Sequence, residues 1–332
     1  MDFHLAFTPP AFTQKIKHTH SLFLIGSCFT ENIGSKLKQL KFSVLENPHG
    51  ILFNPISIVH AMDAYIQNRQ YIAADIFYQN ECWHSWQHHS RFSHPDKDSC
   101  LQGINEAIHK AHLFLKTADW IMITAGSSFV YELTKENDAA GAKGHVVANC
   151  HKVPADKFNK RLLHPHETVT ALNEMLHKLF EYNPAVKIIF TISPVRHLRD
   201  GFIENNRSKA ALIQAIHQLT DRDKRLFYFP AYELVIDDLR DYRFYAEDMV
   251  HPNYAATNYV WEKFVTASIH EPDRQVMKEI NTINAAKNHT AFNPASSAHK
   301  NFLENNLQKV LLLRNQYPYI DFTEEEKFFS GQ

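Results

Sequence analysis

Short apolar runs alternate along the chain with longer stretches in which apolar residues recur every three or four positions. Buried strands of a parallel sheet produce the first pattern, and amphipathic helices produce the second. Five runs predict strands, at residues 21–26, 41–47, 118–126, 185–193 and 225–232. Because helical patterns separate these runs, we predict a three-layer α/β/α sandwich with a five-stranded parallel sheet, in which the first strand is central.

Two regions depart from this alternation. Residues 71–97 are rich in aromatic residues and histidine, and we predict that they form an insertion over a site at the edge of the sheet. This run contains Cys82, His84, His88, His89 and His94. It lacks a second cluster with the spacing of a zinc site, so we predict a pocket-lining or surface role and no metal. Beyond residue 271, helical patterns predict a C-terminal helical appendage, which gives domains at 1–270 and 271–332.

Composition narrows the classes of partner. The chain of 332 residues has a net charge of −1 with its 22 histidines neutral, so no basic surface for nucleic acid or anionic lipid is expected. No stretch approaches the roughly 20 apolar residues of a membrane span, and the first residues lack the pattern of a secretory signal. The cysteines (Cys28, Cys82, Cys100 and Cys150) form no CxxC pair, which is typical of reduced thiols. We therefore expect a cytoplasmic protein without nucleic-acid or membrane partners, and no pattern favours a particular oligomeric state.

Candidate chemistry begins where the sequence LFLIGSCFTENIG, residues 22–34, passes from a buried strand into a helix. Ser27 and Cys28 occupy the turn, and each carries a group that can act as a nucleophile. Gly26, Gly50 and Gly126 lie at or just after the ends of the first three predicted strands, where glycine permits sharp turns and close approach of a ligand. Ligands of α/β sheets bind at this edge.

Asp248 and His251 lie three residues apart, just before the last helix of the alternating region. On a turn, this spacing brings the carboxylate against one imidazole nitrogen and leaves the other to take a proton from a nucleophile. An isolated DxxHP sequence is more typical of a helix cap beside a surface histidine. Together with the nucleophile turn, the pair favours the base and the orienting carboxylate of a catalytic triad. We expect Tyr242, Phe244 and Tyr245 to brace the loop that presents it.

Several longer motifs are similar to those of one known family. IGSCFTENIG, NPHGILFNP, NCHKVP, TISPVRHLRDGFIENNRSKA and FPAYELVIDDLRDYRFYAEDMVHPNYAATNYVWEKF closely resemble the GSCFA-domain family, over about residues 21–270. That family is grouped with the SGNH, or GDSL-like, hydrolases. The resemblance implies a flavodoxin-like sheet of the SGNH-hydrolase type and either hydrolysis of ester or acyl groups or acyl transfer, with no metal or organic cofactor required.

The resemblance also sets the two candidate nucleophiles against the Gly-Asp-Ser block of the SGNH enzymes. Without gaps, Gly26 and Thr30 match this block, Ser27 takes the place of the aspartate, and Cys28 takes the place of the nucleophilic serine. A helix N-terminus and a neighbouring histidine lower the pKa of a thiol, which favours a reactive thiolate. The register favours Cys28. Ser27 stays the alternative, with Cys28 then a small buried apolar residue.

The same comparison assigns the oxyanion hole. Gly50 matches the glycine of the second block, and Asn47 upstream of it is a candidate substrate-binding residue. Gly126 matches the third block, but Ser128 stands where an asparagine side chain belongs. Since losing one donor typically costs about 10²–10³ in rate, we expect Ser128 or Asn149 to supply the missing hydrogen bond.

Two further loops carry the remaining predicted substrate-binding residues. Asn149 and His151 follow the third strand, and Arg196 and His197 follow the fourth, where an arginine is suited to bind a carboxylate or phosphate. For each of them, a structural role within its own loop is the alternative. The sequence predicts an acyl hydrolase for a small-molecule or saccharide ester, in which the turn nucleophile attacks and the DxxH pair acts as base. Acyl transfer and a non-catalytic binding module are the alternatives.

Overall fold

The computed structural model describes residues 4–134 and 144–331. Its strands are β1 (Ser21–Gly26), β2 (Ser43–Glu46), β3 (Phe77–Gln79), β4 (Cys82–His84), β5 (Trp120–Ala125), β6 (Phe129–Leu133), β7 (Val146–Val147), β8 (Phe158–Leu162), β9 (Lys187–Ile192) and β10 (Leu226–Phe229). Its α-helices are α1 (Cys28–Gln39), α2 (Pro55–Ile66), α3 (Lys97–Thr117), α4 (Pro165–Tyr182), α5 (Gly201–Thr220), α6 (Ala231–Glu233), α7 (Tyr254–Ser268), α8 (Asp273–Lys287), α9 (Ser297–Gln316) and α10 (Thr323–Ser330).

The main sheet is parallel and has five strands in the order β10-β9-β5-β1-β2. This is the strand order of flavodoxin-like sheets, so the predicted fold class is confirmed. The prediction that the first strand is central was wrong, because β5 occupies the centre and β1 lies between β5 and β2. An apolar run indicates only that both faces of a strand are buried, and this holds for β1 one place from the edge.

Two helical layers cover the sheet, because successive side chains of each strand point to opposite faces. On one face, Leu22 and Leu24 belong to the core that includes α1 and α7. On the other face, Phe23 and Ile25 belong to the core that includes α2, α3, α4 and α5. Each fully buried side chain of this size contributes about 1.5–3 kcal/mol to stability. The sandwich therefore holds the carboxyl ends of its strands at one rigid edge.

The C-terminal helices α8, α9 and α10 pack on the same face of the sheet as α1 and α7. Ile280, Val310 and Phe329 belong to the buried core of that face. Just after α1, Lys41 forms an ion pair with Glu325 at 2.8 Å. The helical character of this segment is confirmed, while a domain boundary at residue 270 stays a prediction.

Two smaller β structures lie outside the main sheet. The insertion at residues 71–97 contains the antiparallel hairpin β3–β4, and β7, β6 and β8 form a three-stranded antiparallel sheet after β5. The sequence pattern does not predict these strands, because runs of two to five residues show too few alternations. No helix within the two described ranges is long and apolar enough to cross a membrane.

Candidate active site

The turn between β1 and α1 packs directly against the end of β5. Gly26 has a φ of +140°, and a Cβ at this position would lie 2.1 Å from the Thr124 carbonyl oxygen. The Ser27 amide donates a hydrogen bond to the same oxygen at 3.1 Å. Only glycine fits this approach, so the IGSC sequence holds the first residue of α1 at the edge of the sheet.

The two candidate nucleophiles differ in exposure. Ser27 has no exposed surface, and within the described part of the chain its hydroxyl has no hydrogen-bond partner. Cys28 is partly exposed. Burial above all raises the pKa of the Cys28 thiol above its ordinary value, and the charge of Glu31 adds to this shift. The amides of Cys28 and Phe29 at the helix N-terminus oppose it only in part. The expected lowering of this pKa was therefore wrong, because desolvation outweighs the helix N-terminus.

Asp248 and His251 form the contact that their spacing predicts. The His251 Nδ1 atom lies 2.6 Å from Asp248 Oδ2, and Asp248 Oδ1 accepts the amides of Val250 at 2.9 Å and His251 at 3.0 Å. These bonds, that from the His251 amide above all, lower the pKa of Asp248 to about 2. The carboxylate thus fixes Nδ1 of the ring and leaves Nε2 to face another group.

This pair lies on a loop that neighbouring segments hold in place. The Arg196 amide donates to the Val250 carbonyl at 3.1 Å, and the guanidinium lies over the ring of Tyr245 at 4.2 Å and that of Tyr242 at 5.0 Å. Asn253 caps α7, and its Nδ2 donates to the Arg243 carbonyl at 2.7 Å. Arg196 therefore contacts the loop that carries Asp248 and His251, which fits the expected bracing by Tyr242 and Tyr245.

His197 lies between the end of β5 and the loop of His251. Its Nε2 would be 3.1 Å from a Cβ added at Gly126, and its ring packs edge-on against Phe53, with centroids 5.3 Å apart. Burial is the main cause that lowers the His197 pKa to about 3, and the charges of Lys209 and His251 add to it. The ring is therefore neutral, and its Nε2 is buried without a partner in the described residues.

The third-strand oxyanion candidates are engaged with protein atoms. The Gly126 and Ser127 amides both donate to the Phe53 carbonyl, at 2.8 and 2.9 Å. The Ser128 hydroxyl donates to the Ser208 carbonyl at 2.9 Å, and the Ser128 amide donates to Ser208 Oγ at 2.7 Å. These contacts fasten the end of β5 to α5 and direct the donors away from open space.

Gly50 and Asn47 form a turn that contacts the residue before the two candidate nucleophiles. The Gly50 amide donates to the Asn47 carbonyl at 2.7 Å, and Asn47 Oδ1 accepts the Gly26 amide at 2.9 Å. Gly50 has a φ of +79°, and a Cβ there would meet the Cβ of His89 at 2.2 Å. Asn47 thus holds the residue before Ser27, and the insertion closes on Gly50 through His89.

Asn149 and His151 belong to a buried cluster rather than to the nucleophile turn. Asn149 Oδ1 accepts the His151 amide at 2.8 Å, and His151 Nε2 donates to the Ser85 carbonyl at 2.8 Å. The cluster includes His84, whose ring centroid is 4.6 Å from that of His151. His49 and His88 stack at 4.1 Å beside it. Within the described ranges, no group of three His, Cys, Asp or Glu side chains is placed to hold a metal ion.

Sequence reasoning missed Lys209, a lysine whose amine is buried at this edge of the sheet. Its side chain is 1% exposed, and Nζ donates to the carbonyls of Gly126 and Ser193, both at 2.7 Å. A signal was present, because Lys209 lies three and seven residues before Leu212 and Ile216, on the apolar face of α5. A lysine on a buried helix face calls for a polar partner.

Comparisons with known proteins identify the family. Residues 21–264 match the GSCFA family model, and residues 280–332 match the model of the GSCFA domain protein, C-terminal domain. Among solved structures, the chain is similar to a carbohydrate esterase family 3 protein from Talaromyces cellulolyticus, with 10% identity, a TM-score of 0.37 and coverage of 80% of this chain and 99% of that one. It is also similar to a family 3 carbohydrate esterase from Clostridium thermocellum, with 9% identity, a TM-score of 0.32 and coverage of 78% and 98%. No curated protein matches the chain. Because the first family match spans well over half of the chain, this protein belongs to the GSCFA family.

Proposed function

We propose that this protein hydrolyses a small-molecule or saccharide ester through an acyl-enzyme on Cys28. The observation that carries the proposal is the 2.6 Å contact between Asp248 and His251, which leaves Nε2 of the ring free to act as a base. Exposure favours Cys28 over Ser27, because a nucleophile has to reach its substrate. The resemblance to SGNH hydrolases supports the same assignment.

In the first half-reaction, His251 Nε2 takes the thiol proton as Cys28 Sγ bonds to the ester carbonyl carbon. The tetrahedral oxyanion then collapses, the bond to the alkoxide breaks, and His251 returns the proton to the leaving alcohol. In the second half-reaction, water gives a proton to His251 and attacks the thioester. The carboxylic acid leaves, and Cys28 regains its proton. Asp248 stabilises the imidazolium that forms in both halves.

We assign the oxyanion to the amides at the N-terminus of α1. The amides of Cys28 and Phe29 lie close enough to Sγ to affect the pKa of the thiol, and a helix N-terminus favours an anion. Gly50, Gly126 and Ser128 already donate to protein atoms. A hole that lacks one donor is expected to be slower by about 10²–10³ than a complete one.

The test is turnover of an aryl acetate, together with mass spectrometry of the Cys28 peptide after a rapid acid quench. We expect an acetyl group on Cys28 and hydrolysis that is lost in His251→Ala. His270→Ala is the matched control, since His270 also pairs with an aspartate, Asp273 at 3.2 Å, outside the site. If a panel of esters gives neither adduct nor turnover, the non-catalytic binding module replaces the enzyme.

Acyl transfer is the second candidate, and the exposure of a thiol rather than a hydroxyl favours it. A thioester reacts with amines more readily than an oxygen ester does. Adding a primary amine to the same assay separates the two reactions, because transfer yields an amide and hydrolysis yields only the acid. Amide formation that saturates with amine concentration would move the proposal from hydrolysis to transfer.

A further inference from the structure

Among the described residues, the Lys209 amine is buried without a carboxylate partner. Its Nζ contacts two main-chain oxygens, of Gly126 after β5 and Ser193 after β9, and no described acidic side chain forms an ion pair with it. Two acceptors satisfy the two N–H bonds of a neutral amine, whereas an ammonium has a third N–H to place. A buried ammonium therefore calls for a further negative or polar group close by.

The nucleophile turn lies next to this side chain. Lys209 binds the carbonyl of Gly126, two residues after Thr124, and the Thr124 carbonyl accepts the amide of Ser27. The titratable groups around Lys209 come from three segments. Cys28 lies on α1, His197 follows β9, and the Tyr232 ring on α6 has its centroid 5.7 Å from Nζ. Of these, Cys28 is the one whose negative charge stabilises the ammonium.

We propose that Lys209 is a positioning residue whose buried ammonium is the counter-ion of the Cys28 thiolate. The inference rests on the proposed function, since it takes Cys28 as the nucleophile. His251 is half exposed, so water screens its charge, whereas the charge of Lys209 acts through the protein interior. Lys209 thus stabilises the Cys28 thiolate by its charge. It contacts neither the substrate nor the proton that passes from Cys28 to His251.

The expected titration follows from the coupling of the two groups. Burial lowers the pKa of Lys209 to about 7, and burial raises the pKa of the Cys28 thiol. Each ion favours the other, so a change that neutralises one raises the free energy of the other by the same amount. Removing the ammonium is therefore expected to raise the thiol pKa further and to reduce the thiolate present near neutral pH.

The test measures the rate of Cys28 alkylation by iodoacetamide against pH, with peptide mass spectrometry as the readout. In Lys209→Met we expect a slower rate near neutral pH, by about tenfold for each unit that the thiol pKa rises. Lys187→Met is the matched control, because Lys187 lies at the start of β9, at the opposite edge of the sheet, over Trp120. An unchanged rate profile in a folded Lys209→Met protein would overturn the proposal.

The reciprocal measurement does not depend on that variant folding. Carbon NMR of the labelled Lys209 side chain gives its titration in the wild type and in Cys28→Ser. Loss of the thiolate is expected to shift the Lys209 titration to lower pH, and identical curves would contradict the proposal. Neither measurement requires ester turnover. An inactive protein that shows both shifts would therefore refute the proposed hydrolysis and leave the Lys209–Cys28 coupling intact.

Discussion

The candidate site has two halves that are built in different ways. The buried half consists of Ser27, Lys209 and the inner nitrogen of the His197 ring, which lie at the ends of the central strands. The exposed half consists of Asp248 and His251, whose side chains are 49% and 50% exposed. In the buried half, desolvation dominates and moves the pKa of Lys209 to about 7 and that of His197 to about 3. In the exposed half, hydrogen bonds within four residues of the chain lower the pKa of Asp248 to about 2.

This difference shows which substitutions are expected to alter activity without altering the stability of the fold. Side chains in the exposed half contact mainly their own loop, so their loss is expected to remove the proposed catalytic function and little packing. Side chains in the buried half also pack within the fold, so their loss is expected to change both activity and stability. Measuring both activity and the melting temperature in one variant therefore tells the two halves apart.

Replacing Cys28, the proposed nucleophile, has the largest expected effect. Cys28→Ala should abolish turnover and the acyl-enzyme, because no other described side chain of the turn reaches the surface. Ser27→Ala should retain much of the activity and lose some stability. The measurements are kcat/KM on an aryl acetate and the melting temperature, with Cys150→Ala as the control. Labelling of Ser27 by a fluorophosphonate, together with activity in Cys28→Ala, would reverse the assignment.

Asp248→Asn tests the exposed half. An amide cannot accept the Nδ1 proton in the same way, so the ring adopts the wrong tautomer, and kcat should fall by about 10³–10⁴. Because the side chain is exposed, the melting temperature should change little. Asp241→Asn is the control, since Asp241 likewise caps a turn and accepts an amide, from Arg243 at 2.8 Å. A fall of less than tenfold would show that His251 does not depend on this carboxylate.

The loss of stability in acid reports on the protonation of the buried histidines next to the site. His49 is buried, and its pKa is lowered to about 3, against roughly 6.5 in an unfolded chain. Between these values the unfolded state binds the proton and the folded state does not. Acidification from about pH 6.5 therefore lowers the free energy of unfolding, by up to about 1.4 kcal/mol per pH unit for such a histidine.

The comparison is wild type against His49→Phe, by denaturant unfolding at several pH values. The variant should lose stability less steeply between about pH 6 and 4, whatever constant offset it carries from losing the contact of His49 with Tyr65. Parallel curves of unfolding free energy against pH for the two proteins would mean that protonation of His49 does not contribute to the loss of stability in acid.

The smallest expected effect concerns the brace between the halves. Arg196→Met removes the guanidinium from Tyr242 and Tyr245, an interaction worth about 0.5–2 kcal/mol, so kcat should fall by about 2- to 30-fold on a neutral ester. Arg199→Met, three residues away, is the control. A rise in KM confined to anionic esters would instead identify Arg196 as a substrate-binding residue, as the sequence suggests.

Local patterns predict the parts of the site that depend on neighbouring residues. The alternation of strand and helix patterns predicts the parallel sheet, and the spacing of Asp248 and His251 predicts their contact. Both predictions succeed because they depend only on residues close together in the chain. The turn at Gly26 is likewise a local feature. The same reasoning does not predict that β5 is central, since strand order depends on where each crossover returns.

The remaining features depend on contacts between distant segments. Ser128 bonds to Ser208, eighty residues away, and no spacing within either motif shows that its hydroxyl is engaged. His89, in the insertion, packs against Gly50, and Lys209, on α5, donates a hydrogen bond to the Gly126 carbonyl. The raised pKa of Cys28 is also a product of this packing, because burial is a property of the folded chain and not of the helix N-terminus alone.

The helix α1, which begins at Cys28, is covered by α8, α9 and α10, and this affects how the protein folds during synthesis. Asn284 on α8 donates to the Gln39 carbonyl at 2.8 Å, and Lys41 bonds to the Asp321 carbonyl at 2.7 Å. During synthesis, α1 leaves the ribosome well before the residues of α8 and around Asp321 that seal its far end. The nascent chain therefore carries an uncovered apolar face until these later helices emerge, and during that interval the face is open to chaperones and to aggregation.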